Sequence, residues 1–149
     1  MTATLQKIEP LVMQRQFAAP PERIYAAWTD ASLFRQWFGP PGGAVTRCEM
    51  DAVVGGRWRT EMRNPDGQVY GAGGVFKALE PPTRIVLSWI WDDRPAGAPD
   101  MEIVITLRAR GDGTEMTFQQ SGFRNEEQRG RHTQGWTPAF DKLAVLLAQ

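Results

Sequence analysis

The sequence predicts an α+β fold in which a curved antiparallel β-sheet wraps around a long C-terminal helix, with the elements in the order β-α-α-β6-α. Three observations predict it. Between Ala44 and Gln120, short segments of alternating apolar and polar residues are divided by turn-forming Gly, Pro, Asn and Asp. After Ser121-Gly122-Phe123 the period becomes helical, with Trp136, Phe140, Leu143 and Leu147 spaced for one face. Two short helical patterns near the start, followed by hairpins, place the helices on one face of the sheet rather than between parallel strands.

The first strand is Leu11 to Phe17, where Leu11, Met13, Arg15 and Phe17 share one side. Pro21 suits the first turn of a short helix carrying Ile24, Ala27 and Trp28. Asp30 or Ser32 can cap a second helix bearing Leu33, Phe34, Trp37 and Phe38, which Gly39-Pro40-Pro41-Gly42-Gly43 ends. Six strands follow: Ala44 to Asp51, Arg57 to Arg63, Val69 to Ala78, Ile85 to Trp91, Met101 to Arg108 and Thr114 to Gln120. Asn64-Pro65-Asp66-Gly67 and Gly111-Asp112-Gly113 are the hairpin turns. Gly55-Gly56 and Gly71, Gly73 and Gly74 suit bulges or sharp coiling. Asn125 is the expected N-cap of the last helix, with Glu126 and Glu127 at its positive end. Pro138 removes one helical hydrogen bond, so a kink or restarted turn is expected over Gly135 to Pro138.

A chain of 149 residues is the size of one domain, expected to span 1–149. Lys and Arg together number 17, as do Asp and Glu, so no positive field serves nucleic acid or an anionic membrane. The single cysteine, Cys48, has no partner for an internal disulfide; in a strand it behaves as a small apolar group. Met1 to Pro10 has no secretory apolar stretch, and no run approaches the length of a membrane span, so a cytoplasmic setting is expected. Six Trp and seven Phe must line something, either an ordinary core or the walls of a pocket left open for a ligand.

Read in order, these residues resemble the family of activator of Hsp90 ATPase homologues, within the START-like (SRPBCC, Bet v 1-like) helix-grip superfamily. The resemblance rests on Phe17-Ala18-Ala19-Pro20 with Ile24 and Ala27-Trp28-Thr29-Asp30, then Trp37-Phe38-Gly39-Pro40, then Asp51 ahead of Gly55-Gly56-Arg57-Trp58. It continues through Met62, Pro65-Asp66-Gly67, Gly74, Pro81-Pro82, Trp89, Gly113-Thr114, Gly135-Trp136 and Asp141-Lys142-Leu143. It implies the helix-grip fold over nearly the whole chain. It also implies a cavity under the long helix, where members of the superfamily bind lipids, polyketides or plant hormones. The co-chaperone that lends the family its name has an additional N-terminal domain for much of its chaperone contact, and this chain is expected to lack it. Thr137-Pro138 departs from the uninterrupted helix formers expected there.

The inward register nominates Trp58, Thr60, Met62, Tyr70, Phe76, Trp89, Ile103, Ile105, Phe118 and Gln120 from the sheet, with Trp136 and Phe140 from the helix, as the lining of a site for an apolar small molecule. Each can equally be a core residue, and Tyr70, Thr60 and Gln120 can equally satisfy nearby backbone groups. Ala72 and Gly74 leave inward space that larger residues would fill. A lone histidine, His132, excludes a metal site of several imidazoles and is expected to be structural or at the surface. No cofactor, metal ligand set or catalytic constellation is expected, and Gly71-Ala72-Gly73-Gly74 is not a phosphate loop because no helix follows it. Three functional classes stay open: a small-molecule carrier or sensor, an interaction module such as a chaperone cofactor, and a cyclase- or hydrolase-like enzyme. An interaction module would expose Trp37-Phe38, or Trp91 beside the Asp92 to Pro99 loop. An exposed sheet edge or aromatic patch would allow a homodimer, which nothing in the sequence requires.

Overall fold

The computed structural model describes residues 8–149. Most of the N-terminal stretch read above for a signal lies outside the described residues. The elements are β1 (Leu11–Phe17), α1 (Pro21–Thr29), α2 (Ala31–Trp37), β2 (Ala44–Met50), β3 (Arg57–Arg63), β4 (Val69–Glu80), β5 (Arg84–Trp91), β6 (Met101–Arg110), β7 (Gly113–Ser121) and α3 (Glu126–Leu147). The strands form one antiparallel sheet in the order β1-β7-β6-β5-β4-β3-β2, a helix-grip arrangement with the α3 helix against it. β1 and β2, consecutive strands in the chain, lie at opposite edges, so α1 and α2 carry the backbone across the full width of the sheet.

Local chemistry places the helices. Asp30 closes α1 and opens α2, its carboxylate accepting from the Ser32 N–H at 2.8 Å and the Ser32 hydroxyl at 2.6 Å. Those bonds hold its carboxyl below the usual range. At α3 the cap is reciprocal: Asn125 Oδ1 accepts from the Gln128 N–H, and Gln128 Oε1 accepts from the Arg124 N–H, both at 2.8 Å. The restarted turn expected around Pro138 is absent, and α3 runs through it as one element. Gln134, whose carbonyl lacks the donor that Pro138 cannot supply, lies on the exposed side of the helix, where water can serve instead.

The register shifts that help bend the sheet fall between Val45 and Arg47 and between Phe76 and Ala78, beside rather than at the glycines. Gly74 answers a different demand. A Cβ there would sit 2.1 Å from the carbonyl oxygen of Ser88, which accepts from the Trp58 indole at 3.0 Å, while Ser88 Oγ accepts from the Val75 N–H at 2.9 Å. The space read from Gly74 is therefore filled by backbone, not left for a ligand. Gly56 is constrained alike, its absent Cβ lying 2.0 Å from the Asp51 carbonyl.

The interior between sheet and helices has two halves. Under the C-terminal half of α3 it is solid: Phe140, Leu143 and Leu147 pack with Ile24, Trp28, Phe34 and Trp37 of α1 and α2 and with Ile103, Ile105 and Phe118 of the sheet. Buried Thr114 ties β7 to the turn after β1, its hydroxyl donating to the Ala19 carbonyl at 2.7 Å. Under the N-terminal half of α3 the interior opens.

Candidate functional site

The opening is a cleft of about 600 Å³, within the range typical of small-molecule sites. Its floor and walls are aromatic and apolar: Phe38 and Pro40 after α2, Met62 and Tyr70 from β3 and β4, Trp89 and Trp91 from β5, and Trp136 from α3. Polar groups complete its lining: the exposed Asp93, Arg124 and Arg131, the half-buried Asn64, and the buried Gln128 and His132. A second lobe of about 210 Å³ shares Trp89, Trp91, Asp93, Arg124 and Gln128 with the first and runs on to the loop after β5 and Gly122.

Four of the twelve nominated residues, Met62, Tyr70, Trp89 and Trp136, line this cleft. The others lie deeper. Phe76, Ile103, Ile105, Phe118 and Phe140 are core, Trp58 is spent on the Ser88 carbonyl, and Thr60 is fully buried, its hydroxyl without a hydrogen-bond partner among the described residues. The nominees followed the inward register, which cannot tell the open half of the interior from the packed half.

Gln120 is buried behind the cleft and organises its wall. Its Oε1 accepts from the Trp136 indole N–H at 2.9 Å and lies 3.0 Å from His132 Nδ1. The Trp91 indole N–H approaches His132 Nε2 at 3.2 Å. An indole nitrogen only donates, so the Gln120 atom at Trp136 must be oxygen, His132 Nδ1 must carry the proton, and Nε2 must be the acceptor for Trp91. The chain of bonds therefore admits one tautomer of a neutral imidazole; a proton on Nε2 would face the Trp91 N–H. Burial reinforces this, pushing the His132 pKa down to about 4, with the Arg131 guanidinium adding to the effect. His132, expected to be structural or at the surface, is structural: a buried clamp that fixes two cleft tryptophans and is neutral at neutral pH.

The aromatic wall is continuous. The Trp89 ring centroid lies 5.5 Å from Phe38, 4.7 Å from Trp58, 5.6 Å from Trp91 and 5.4 Å from Trp136, and most of these contacts are edge-on or tilted as aromatic quadrupoles prefer. The Trp89 N–H, buried, has no acceptor among the described residues. Trp37 and Phe38, considered above as an exposed patch, are inside the protein, and only Phe38 reaches the cleft. Cys48 is half-buried, and burial pushes its thiol pKa up, away from reactivity.

The residues that the sequence reading passed over on α3 follow from its cap and period. Asn125-x-x-Gln128 is a capping signature, and counting back from Trp136 by a turn at a time reaches His132 and Gln128 on the same face. No comparable signal marks Asn64, Asp93, Arg124 or Gly39, which sit in turns and loops.

The sequence matches the family model of Activator of Hsp90 ATPase homolog 1-like protein over residues 18–148. The chain belongs to this family. Solved structures of AHSA1-like shape superpose over nearly its whole length. A Chromobacterium violaceum protein is similar at 32% identity, with 94% of this chain and 97% of that one covered and a TM-score of 0.86. The AHSA1 protein of Silicibacter pomeroyi is 29% identical, with 94% and 98% covered and a TM-score of 0.83. A Nitrosomonas europaea protein is 27% identical, with 94% of each chain covered and a TM-score of 0.80. No curated protein matches the sequence. Among the described residues no helix is long and apolar enough to cross a membrane, and no group of three or more His, Cys, Asp or Glu is placed to hold a metal ion.

Proposed function

We propose that this AHSA1-like chain binds an apolar small molecule in the cleft under the N-terminal half of α3, as a carrier or sensor. The observation that carries the reading is the coexistence of a solid core with an aromatic-walled opening of about 600 Å³ beside it. The wall side chains are held in place by the indole–imidazole–amide chain before any ligand arrives, which lowers the ordering cost of binding. Membership in a fold family that commonly binds hydrophobic ligands supports the same reading. A chaperone contact, which the family name brings to mind, draws less support, because Trp37 and Phe38 are buried rather than displayed and Trp91, half-buried, lines the cleft.

Gly135 provides the test. It lies on the cleft wall, and a Cβ added to it meets nothing within 4 Å. Gly135→Leu should fold at least as stably as the wild type, since leucine is the better helix former, while its side chain occupies the mouth. Calorimetric titration with the uncharged aromatic probe N-phenylnaphthylamine should give saturable binding to the wild type and at least a tenfold loss in Gly135→Leu. Equal binding to both proteins, or none to the wild type, would refute the assignment.

A further inference from the structure

We infer that the ligand carries an anionic head beside its apolar body, and that Arg124 with Gln128 receives it. This rests on the cleft reading and adds the chemistry of one end of it. Gln128 is only 8% exposed, its Oε1 is committed to the Arg124 N–H, and its amide Nε2 makes no hydrogen bond among the described residues. It lines both lobes of the opening, as does Arg124, so an unused donor on a mostly buried residue adjoins the space where the lobes join. The Arg124 guanidinium forms neither a hydrogen bond nor an ion pair among the described residues, unlike Arg131 at the same rim, which is paired with Glu127 at 3.1 Å.

The charged groups lining the cleft are two guanidiniums, of Arg124 and Arg131, and one carboxylate, of Asp93; His132 is neutral by its hydrogen bonds. Asp93 and Arg124 are both exposed, so water screens each alike, and the two guanidiniums outnumber the single carboxylate in the cleft lining. The reciprocal cap that fixes Gln128 also ties down the backbone of Arg124 just ahead of α3, so both side chains start from backbone positions set without any ligand. A planar, acceptor-only group such as a carboxylate matches a guanidinium and an amide N–H₂ side by side. Phosphate and sulfonate share that chemistry, and the apolar body would then lie against Trp89, Trp91 and Trp136.

A pair of probes with the same aromatic body separates the head from the body. Anilinonaphthalene sulfonate carries an anion and N-phenylnaphthylamine does not, and both are titrated calorimetrically into wild type, Arg124→Ala and, as a charge control, Arg57→Ala on the outward register of β3. The expected result is tighter binding of the sulfonate by wild type and a roughly tenfold loss for it alone in Arg124→Ala. Arg57→Ala should match the wild type for both. Displacement of the uncharged probe by naphthaleneacetate and by naphthyl phosphate then distinguishes a carboxylate from a phosphate head. If the two probes bind alike and Arg124→Ala changes neither, the anionic head is refuted while the cleft stands. If neither probe binds the wild type, both readings fall.

Discussion

Acid should unfold this protein through one residue before its carboxylates contribute, and the effect can be worked out from the His132 clamp. The imidazole titrates near 6.5 when the chain is unfolded and only near 4 in the folded protein, so folding excludes its proton. Between those values the unfolded chain binds a proton that the native one does not. Stability contributed by the neutral ring is therefore complete above about pH 6.5 and is lost as the pH falls from there toward 4. From pH 7 to pH 5 the loss amounts to about 2 kcal/mol, a large part of the stability of an ordinary domain. The carboxyls that folding lowers, on Asp30, Glu49 and Asp92, start from ordinary values near 4, so their losses come at lower pH. With one histidine in the sequence, the window above pH 5 reports on His132. Urea unfolding followed by tryptophan fluorescence at intervals from pH 7.5 to 5 should show this slope in wild type. His132→Gln, though less stable throughout, should be nearly flat. Equal slopes in the two proteins would refute the neutral clamp.

Further outcomes follow from single contacts. Trp91→Phe removes the N–H that faces His132 Nε2, so the imidazole pKa should rise toward its ordinary value, read from the ring proton shifts against pH. Gly74→Ala drives a methyl into the Ser88 carbonyl and should cost about 3 kcal/mol in urea unfolding, with the Trp58 indole resonance displaced. Thr114→Val keeps the volume but leaves the buried Ala19 carbonyl without its donor, and should lower stability by about 1–2 kcal/mol.

Much of the architecture was legible in the sequence because it rests on short-range rules. Period-two alternation in Trp58-Arg59-Thr60-Glu61-Met62 sets one face of β3, and Asn125 announces the start of α3 before any contact is known. The strands were read short by a residue or two at several ends, since Leu79 and Glu80 of β4 pair across a bulge that alternation does not reveal. The site was less legible. Inward register grouped Phe118, Ile105 and Phe140 with Met62, Tyr70 and Trp136, yet the first three meet α1 and α2 while the latter three face the open half. What divides them is the path of α1 and α2 across the sheet, a tertiary fact. The role of His132 is hidden for a similar reason: a lone histidine looks idle until Trp91, forty-one positions away, and Gln120 are seen on either side of its ring.

Six indole N–H groups distributed between the two halves of the interior make NMR the most direct test of where a ligand goes. On titration with N-phenylnaphthylamine, the resonances of Trp89, Trp91 and Trp136 should shift most, and that of Trp37, bonded to the Ala27 carbonyl in the packed half, should stay in place. Shifts led by Trp37, or a saturating titration that moves no indole, would contradict a binding cleft beneath the start of α3.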